Sequence, residues 1–167
     1  MKALRIFSAL IFLFVFGNAQ AQDETEKKQS SLETLLNSQS FEFIANTAIP
    51  ISGPTKNLVG SNYSITFSPE MVRSNMPFYG RAFSGMAYGR DKGMRFEGHP
   101  ENYTVINAKN GYEVSAEVKG ENDTYFISIT TGNSGFATLS ISSNDRGTIS
   151  YQGEIISNKQ LSISNKQ

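Results

Sequence analysis

The sequence predicts an all-β domain of eight or nine antiparallel strands, mostly a meander, closed as a barrel or packed as a two-layer sandwich, with a short N-terminal helix covering one end. Three observations carry this prediction. Between Gly93 and Ile156, apolar and polar residues alternate in run after run, the period of a strand with one wet face. Turn-forming residues separate the runs at intervals of about eight to twelve residues, as in sandwiches and barrels. Ser31 to Gln39 instead carries the helical spacing of Leu32, Leu35 and Leu36.

The chain has 167 residues, no cysteine, 15 basic and 15 acidic residues and 38% apolar content, which fits one ordinary globular domain. Lys2 and Arg5 precede the apolar run Ile6 to Phe16, and Ala19-Gln20-Ala21 follows as a small-residue cleavage site. This is the pattern of a secretory signal peptide over residues 1–21, with a mature start at Gln22. The apolar run is too short to cross a bilayer. Export to the periplasm or the extracellular space is expected, with no membrane span after signal removal. Without cysteine there is neither a lipid-modified anchor nor a disulfide, so the domain must be held by its own core. Removing Lys2 and Arg5 leaves 13 basic residues against 15 acidic ones, a formal charge of −2 that argues against nucleic acid as a partner.

Asp23 to Gln29 is charged and lacks apolar periodicity, so residues 22–30 read as a flexible lead-in to a single β domain over 31–156. Ser30 and Glu33 have capping-box spacing, and the leucine stripe behind them is expected to plug one end of the sheet. Phe41, Phe43, Ala45 and Ile49 alternate with polar or smaller residues up to Pro50, the first strand. Ile51 to Gly60, with Gly53, Pro54 and Gly60, reads as a loop. Tyr63, Ile65 and Phe67 form a second alternation, and Pro69-Glu70 turns it into Met71 to Met76.

Further turns are expected at Gly98 to Glu101, Gly120 to Asp123, Gly132 to Gly135 and Asn144 to Gly147, with Arg146 projecting from the last. Asn110-Gly111 suits a two-residue type I′ turn. That turn would pair Lys109 with Tyr112, Asn107 with Val114, Val105 with Ala116 and Tyr103 with Val118. Tyr112, Val114, Ala116 and Val118 line one face of the strand that follows, opposite Glu113, Ser115, Glu117 and Lys119. Tyr125, Ile127 and Ile129, then Ala137, Leu139 and Ile141, then Ile149, Tyr151 and Ile155 complete the inner faces, while Phe126 and Phe136 are expected to point outward. Residues 157–167 read as a C-terminal tail, in which Ile156 to Gln160 recurs as Ile163 to Gln167.

Three motifs resemble a known family. They are Phe41-Glu-Phe-Ile-Ala-Asn46, Met76-Pro-Phe-Tyr-Gly-Arg81, and Ser142-Ser-Asn-Asp-Arg146 leading to Ile149-Ser-Tyr-Gln-Gly-Glu154. Together they span nearly all of the mature chain. The family is catalogued as domain of unknown function 4251 and consists of small exported proteins from Bacteroidota. It usually shows Leu-Pro-Tyr where this chain has Met76-Pro77-Phe78. The resemblance brings no catalytic residues, cofactor or partner with it.

No residue pattern announces catalysis. His99 is the single histidine and is expected in a solvated turn, and the loose acidity of Asp91, Glu97 and Glu101 around it lacks metal-ligand spacing. No cofactor is expected. Asn62, Asn102 and Asn122 begin glycosylation-like triplets but read as turn and strand-edge residues. Tyr63, Tyr103, Tyr112 and Tyr125 are expected to bury their rings and present their hydroxyls at a wet rim.

The segment least explained by strand patterning is Phe78 to Tyr88, and it supplies the candidate binding residues Phe78, Tyr79, Arg81, Phe83, Tyr88 and Arg90. Two readings stay open. In one it is a binding loop; in the other it is a strand bent by its glycines, with Phe83 in the core and Tyr88 exposed. The function classes that follow are a non-catalytic envelope protein binding a protein or glycan, a carrier of a small apolar ligand inside a barrel, and an unrecognised hydrolase.

Overall fold

The computed structural model of the protein describes residues 29–83 and 93–158. The expected signal peptide, Tyr88, Arg90 and residues 159–167 lie outside these. A helix, α1 (29–37), precedes β1 (Phe41–Pro50), β2 (Lys56–Asn57), β3 (Ser64–Phe67), β4 (Val72–Met76), β5 (Met94–Gly98), β6 (Pro100–Ala108), β7 (Gly111–Lys119), β8 (Thr124–Gly132), β9 (Phe136–Ser143) and β10 (Ile149–Ser157). All pairings between strands are antiparallel, in the order β5-β4-β3-β1-β10-β9-β8-β7-β6, with β2 added to β1. The fold is a nearly closed, barrel-like sheet with one short helix.

Closure rests on a correction to the sequence reading. The expected turn at Gly98 to Glu101 is a strand corner, for only His99 separates β5 from β6. β5 pairs with β4 and β6 pairs with β7, so one bent strand supplies both ends of the sheet order. At the corner Gly98 lies so close to β7 that a Cβ there would be 2.2 Å from the Lys119 carbonyl oxygen. Pro100 is buried against Val118, and His99 is exposed.

Inward positions follow the predicted alternation on β7, β8, β9 and β10. Phe126 and Phe136 stay outside, 45% and 67% exposed. Phe41, Phe43, Ile65, Phe67, Met76, Met94, Tyr112, Ile129, Leu139, Ile141 and Tyr151 are fully buried and fill the interior. Each such side chain contributes about 1.5–3 kcal/mol through burial. On β1 the alternation breaks, because a bulge at Asn46 shifts the register against β10. Ala48 rather than Ile49 therefore points inward. The loop after β1 also holds more structure than expected, since β2 pairs with β1 and Leu58 is 3% exposed. A second bulge lies in β6, where Asn102 has φ +51° and both Pro100 and Tyr103 turn toward the core.

Helix α1 buries Leu32 and Leu36 as expected, but Ser30 is inside the helix, where its carbonyl accepts a hydrogen bond from Thr34 Oγ1. Glu33 accepts instead from the Tyr112 hydroxyl at 3.3 Å, and the Leu36 carbonyl accepts from the Tyr103 hydroxyl at 2.7 Å. Two of the rim tyrosines thus fasten the helix to β6 and β7 rather than facing water.

The β6–β7 hairpin turns at Lys109-Asn110, one residue before the expected pair, and Asn107, not Lys109, faces Tyr112. The register differs by two positions, which leaves every side chain on its predicted face. Gly111 is drawn into the ladder opposite Gly132, with φ +154°, and a Cβ on it would lie 1.9 Å from the Thr131 carbonyl oxygen. The glycine is required by the approach of β8, not by a type I′ turn. Gly111→Val should therefore lower stability by about 1–3 kcal/mol, the range for forcing atoms into a packed site. A urea unfolding midpoint equal to that of the unsubstituted protein would refute this account.

Candidate functional site

Beyond β4 the chain crosses one end of the barrel and meets the turn between β9 and β10. Pro77 and Phe78 are buried there. Tyr151 is an inward residue of β10 with no exposure, and its hydroxyl donates to the Pro77 carbonyl. A buried phenol needs such a partner, and this one fixes where the crossing begins. The Arg146 guanidinium lies 5.5 Å from the centroid of the Phe78 ring, a cation–π distance, and the arginine is only 8% exposed. The Phe78 ring also folds back over Gly80, where a Cβ would come within 2.5 Å of it.

The next residues pair with the β9–β10 turn. Phe83 N donates to the Asp145 carbonyl at 2.8 Å, Gly147 N donates to the Arg81 carbonyl at 3.2 Å, and Ala82 bridges Arg146. With backbone and Phe78 pinned inside, the side chains that remain face out. Tyr79 is 37% and Phe83 70% exposed, and Arg81 is exposed as well. Together with Ile51, Ser52 and Thr148 they line a cleft of about 530 Å³. Burial pushes the Tyr151 phenol well above its ordinary value of 10.0; Tyr79 pushes it further and Arg146 pulls it back. Tyr151 is thus a neutral donor under physiological conditions.

The structure brings Phe78, Tyr79, Arg81 and Phe83 together but divides their roles. Phe78 is core and the other three are surface. The expectation that Phe83 is core is overturned, because Phe78 takes the space beneath Arg146 and the pairing at Ala82 holds Phe83 outside. Arg146 does not project from its turn but packs inward on Phe78. Sequence reasoning missed Tyr151 as the anchor, although an inward tyrosine in mid-strand signals that some hydrogen-bond acceptor must lie near it. Two of the three family-like motifs, Met76 to Arg81 and Ser142 to Glu154, meet here. The third joins them through Gly153, where a Cβ would lie 1.9 Å from the Ile44 carbonyl oxygen.

A hydrolase would be marked by Asp91, His99 and Arg81 within hydrogen-bonding distance of one another, and of these Asp91 lies outside the described residues. Among the described residues no three His, Cys, Asp or Glu side chains are grouped to hold a metal ion. The fully buried side chains named above share the interior in which a carried apolar ligand would have to lie. No helix among the described residues is long and apolar enough to cross a membrane.

A family model described as "Domain of unknown function (DUF4251)" matches residues 23–155. Among solved structures, the chain is similar to the crystal structure of a DUF4251 family protein from Bacteroides eggerthii, with a TM-score of 0.61 and 19% identity, over 84% of this chain and 94% of that one. At that identity the likeness is one of fold. No curated protein matches the chain.

Two substitutions separate the buried and exposed halves of the site. Tyr151→Phe leaves the Pro77 carbonyl buried without its donor and should cost about 1–3 kcal/mol in urea unfolding. Phe83→Ala should stay within about 0.5 kcal/mol of the unsubstituted protein, as exposed positions do. Alkaline stability gives a further check. Burial raises the phenols of both Tyr103 and Tyr151 above 10.0, so above that pH the unfolded chain has released protons that the folded chain retains. Stability should hold up to about pH 10 and fall beyond it, with a shallower fall in Tyr151→Phe.

Proposed function

The chain belongs to the DUF4251 family, and from that premise we propose that it is an exported, non-catalytic envelope protein that binds another protein through Tyr79, Arg81 and Phe83. The observation that carries this reading is the 70% exposure of Phe83 on backbone held by two hydrogen bonds to the β9–β10 turn. A large apolar side chain exposed on a fixed support meets a partner without first paying the entropy of ordering a loop. Aromatic residues and arginine are the types enriched at protein interfaces and at their energetic centres. The cleft beside Phe83 supplies the concavity into which a partner side chain fits. Export is supported by the basic start, the Ile6 to Phe16 apolar run and the Ala19-Gln20-Ala21 site.

Export predicts a mature chain beginning at Gln22 and released by osmotic shock without detergent. N-terminal sequencing that finds Met1 in a membrane fraction would overturn it. Binding is tested by placing the photoreactive analogue p-benzoylphenylalanine at position 83 in the native host. Irradiation is expected to give a discrete protein adduct at this position and none at Glu113, an exposed residue of β7. The absence of an adduct at position 83, or the same adducts at both positions, would overturn the interface.

A further inference from the structure

A second candidate site lies on the outer wall of the barrel, away from the Phe83 cleft. Thr47 faces Gln152 across β1 and β10, Gln152 faces Thr138 across β10 and β9, and Thr138 faces Thr130 across β9 and β8. Directly paired residues share a face, and adjacent strands are about 4.8 Å apart. The four side chains therefore make a straight row of neutral hydrogen-bonding groups at that repeat. The bulge at Asn46 adds a fifth at one end.

The row lies in a depression of about 480 Å³. Gly132 and Gly153 contribute no side chain to it, and the exposed ring of Phe136 stands in its wall. Three features define what would fit. Among the described residues no charged side chain lines the depression, while Glu113 faces Thr130 one strand further on and Glu154 faces Phe136. Among the described residues none of the five polar side chains has a hydrogen-bond partner, whereas the neighbouring Ser140 and Ser150 hydroxyls bond one another at 2.9 Å and Thr104 bonds Ser115 at 3.3 Å. An aromatic face exposed beside such groups offers an apolar platform next to amides and hydroxyls that both donate and accept. Anions would find no cation here, and a wholly apolar ligand would leave the row unpaired at a cost.

From this row and ring we propose that the depression is a binding site for a neutral glycan, a linear chain of uncharged hexoses. One sugar face stacks on Phe136, and the hydroxyls of successive sugars meet the row from Thr47 to Thr130. The site does not depend on the protein interface at Phe83, and the two have separate tests.

Isothermal titration of the mature protein with a panel of neutral hexose oligosaccharides of six units, alongside an oligogalacturonate as acidic comparator, reads the site directly. At least one neutral member should bind, and the acidic one should not. Phe136→Ala should weaken that binding by at least about tenfold, as loss of an aromatic anchor does, while leaving the melting transition unchanged. Thr138→Val, which keeps shape and strand preference but removes the hydroxyl, should also weaken it, and Phe83→Ala should leave it intact. The proposal is overturned by a panel with no binder at millimolar concentration, by preference for the acidic chain, or by binding that survives Phe136→Ala. Loss of glycan binding in Phe83→Ala with Phe136→Ala unaffected would place the glycan in the other cleft and equally defeat it.

Discussion

At Gly98 the backbone of β5 passes close enough to β7 that no side chain fits between them, and the chain bends there instead of reversing. That bend lets one length of chain pair with β4 before the corner and with β7 after it. A sheet of this size otherwise ends in two open edges, each a row of unpaired backbone groups. Here both ends belong to the same strand. The inner faces then converge on one interior, and the large side chains that fill it follow from that convergence.

The exposed site is a product of the same interior. Tyr151 belongs to the core by position, yet its hydroxyl must find an acceptor, and it finds one in the segment that crosses the barrel end. Arg146 reaches back over Phe78 from the opposite side of that segment. Between them they hold Pro77 and Phe78 down, and the short pairing at Ala82 sets the outward direction of Phe83. The exposed surface of Tyr79, Arg81 and Phe83 is thus specified by buried residues on other strands. Changes at Tyr151 or Arg146 would disturb it from beneath.

The inner faces of β7 to β10 were legible because strict alternation forces one assignment, and a shift of two positions in the β6–β7 register left it untouched. What the sequence could not disclose were features set by distant backbone. Asn110-Gly111 suggested a turn by local preference, but Gly111 answers to the carbonyl of Thr131 on another hairpin. Gly98 to Glu101 has turn composition, yet Pro100 is buried against β7 and continues the strand. The bulge at Asn46 is invisible to a period-two pattern and moved Ile49 off the inner face. Phe83 was misplaced because the sequence offers two phenylalanines near one buried position, and only the Arg146 contact decides between them. The family-like motifs were a sounder guide, since two of them meet at the site and the third packs against one of them.

The pairing of β1 with β10 has a consequence for how the chain acquires its shape. Phe41 sits opposite Ser157 and Pro50 opposite Ile149, so the first strand made is completed by the last. Helix α1 is in the same position, because its tyrosine partners on β6 and β7 follow it by many residues. Contacts of such sequence separation form late and slowly. A chain emerging N-terminus first can pair β1 with β3 and stack Phe41 on Phe67 early, but the other edge of β1 stays open until the final strand is available. The sheet is therefore sealed at its first strand only by the last one to be made.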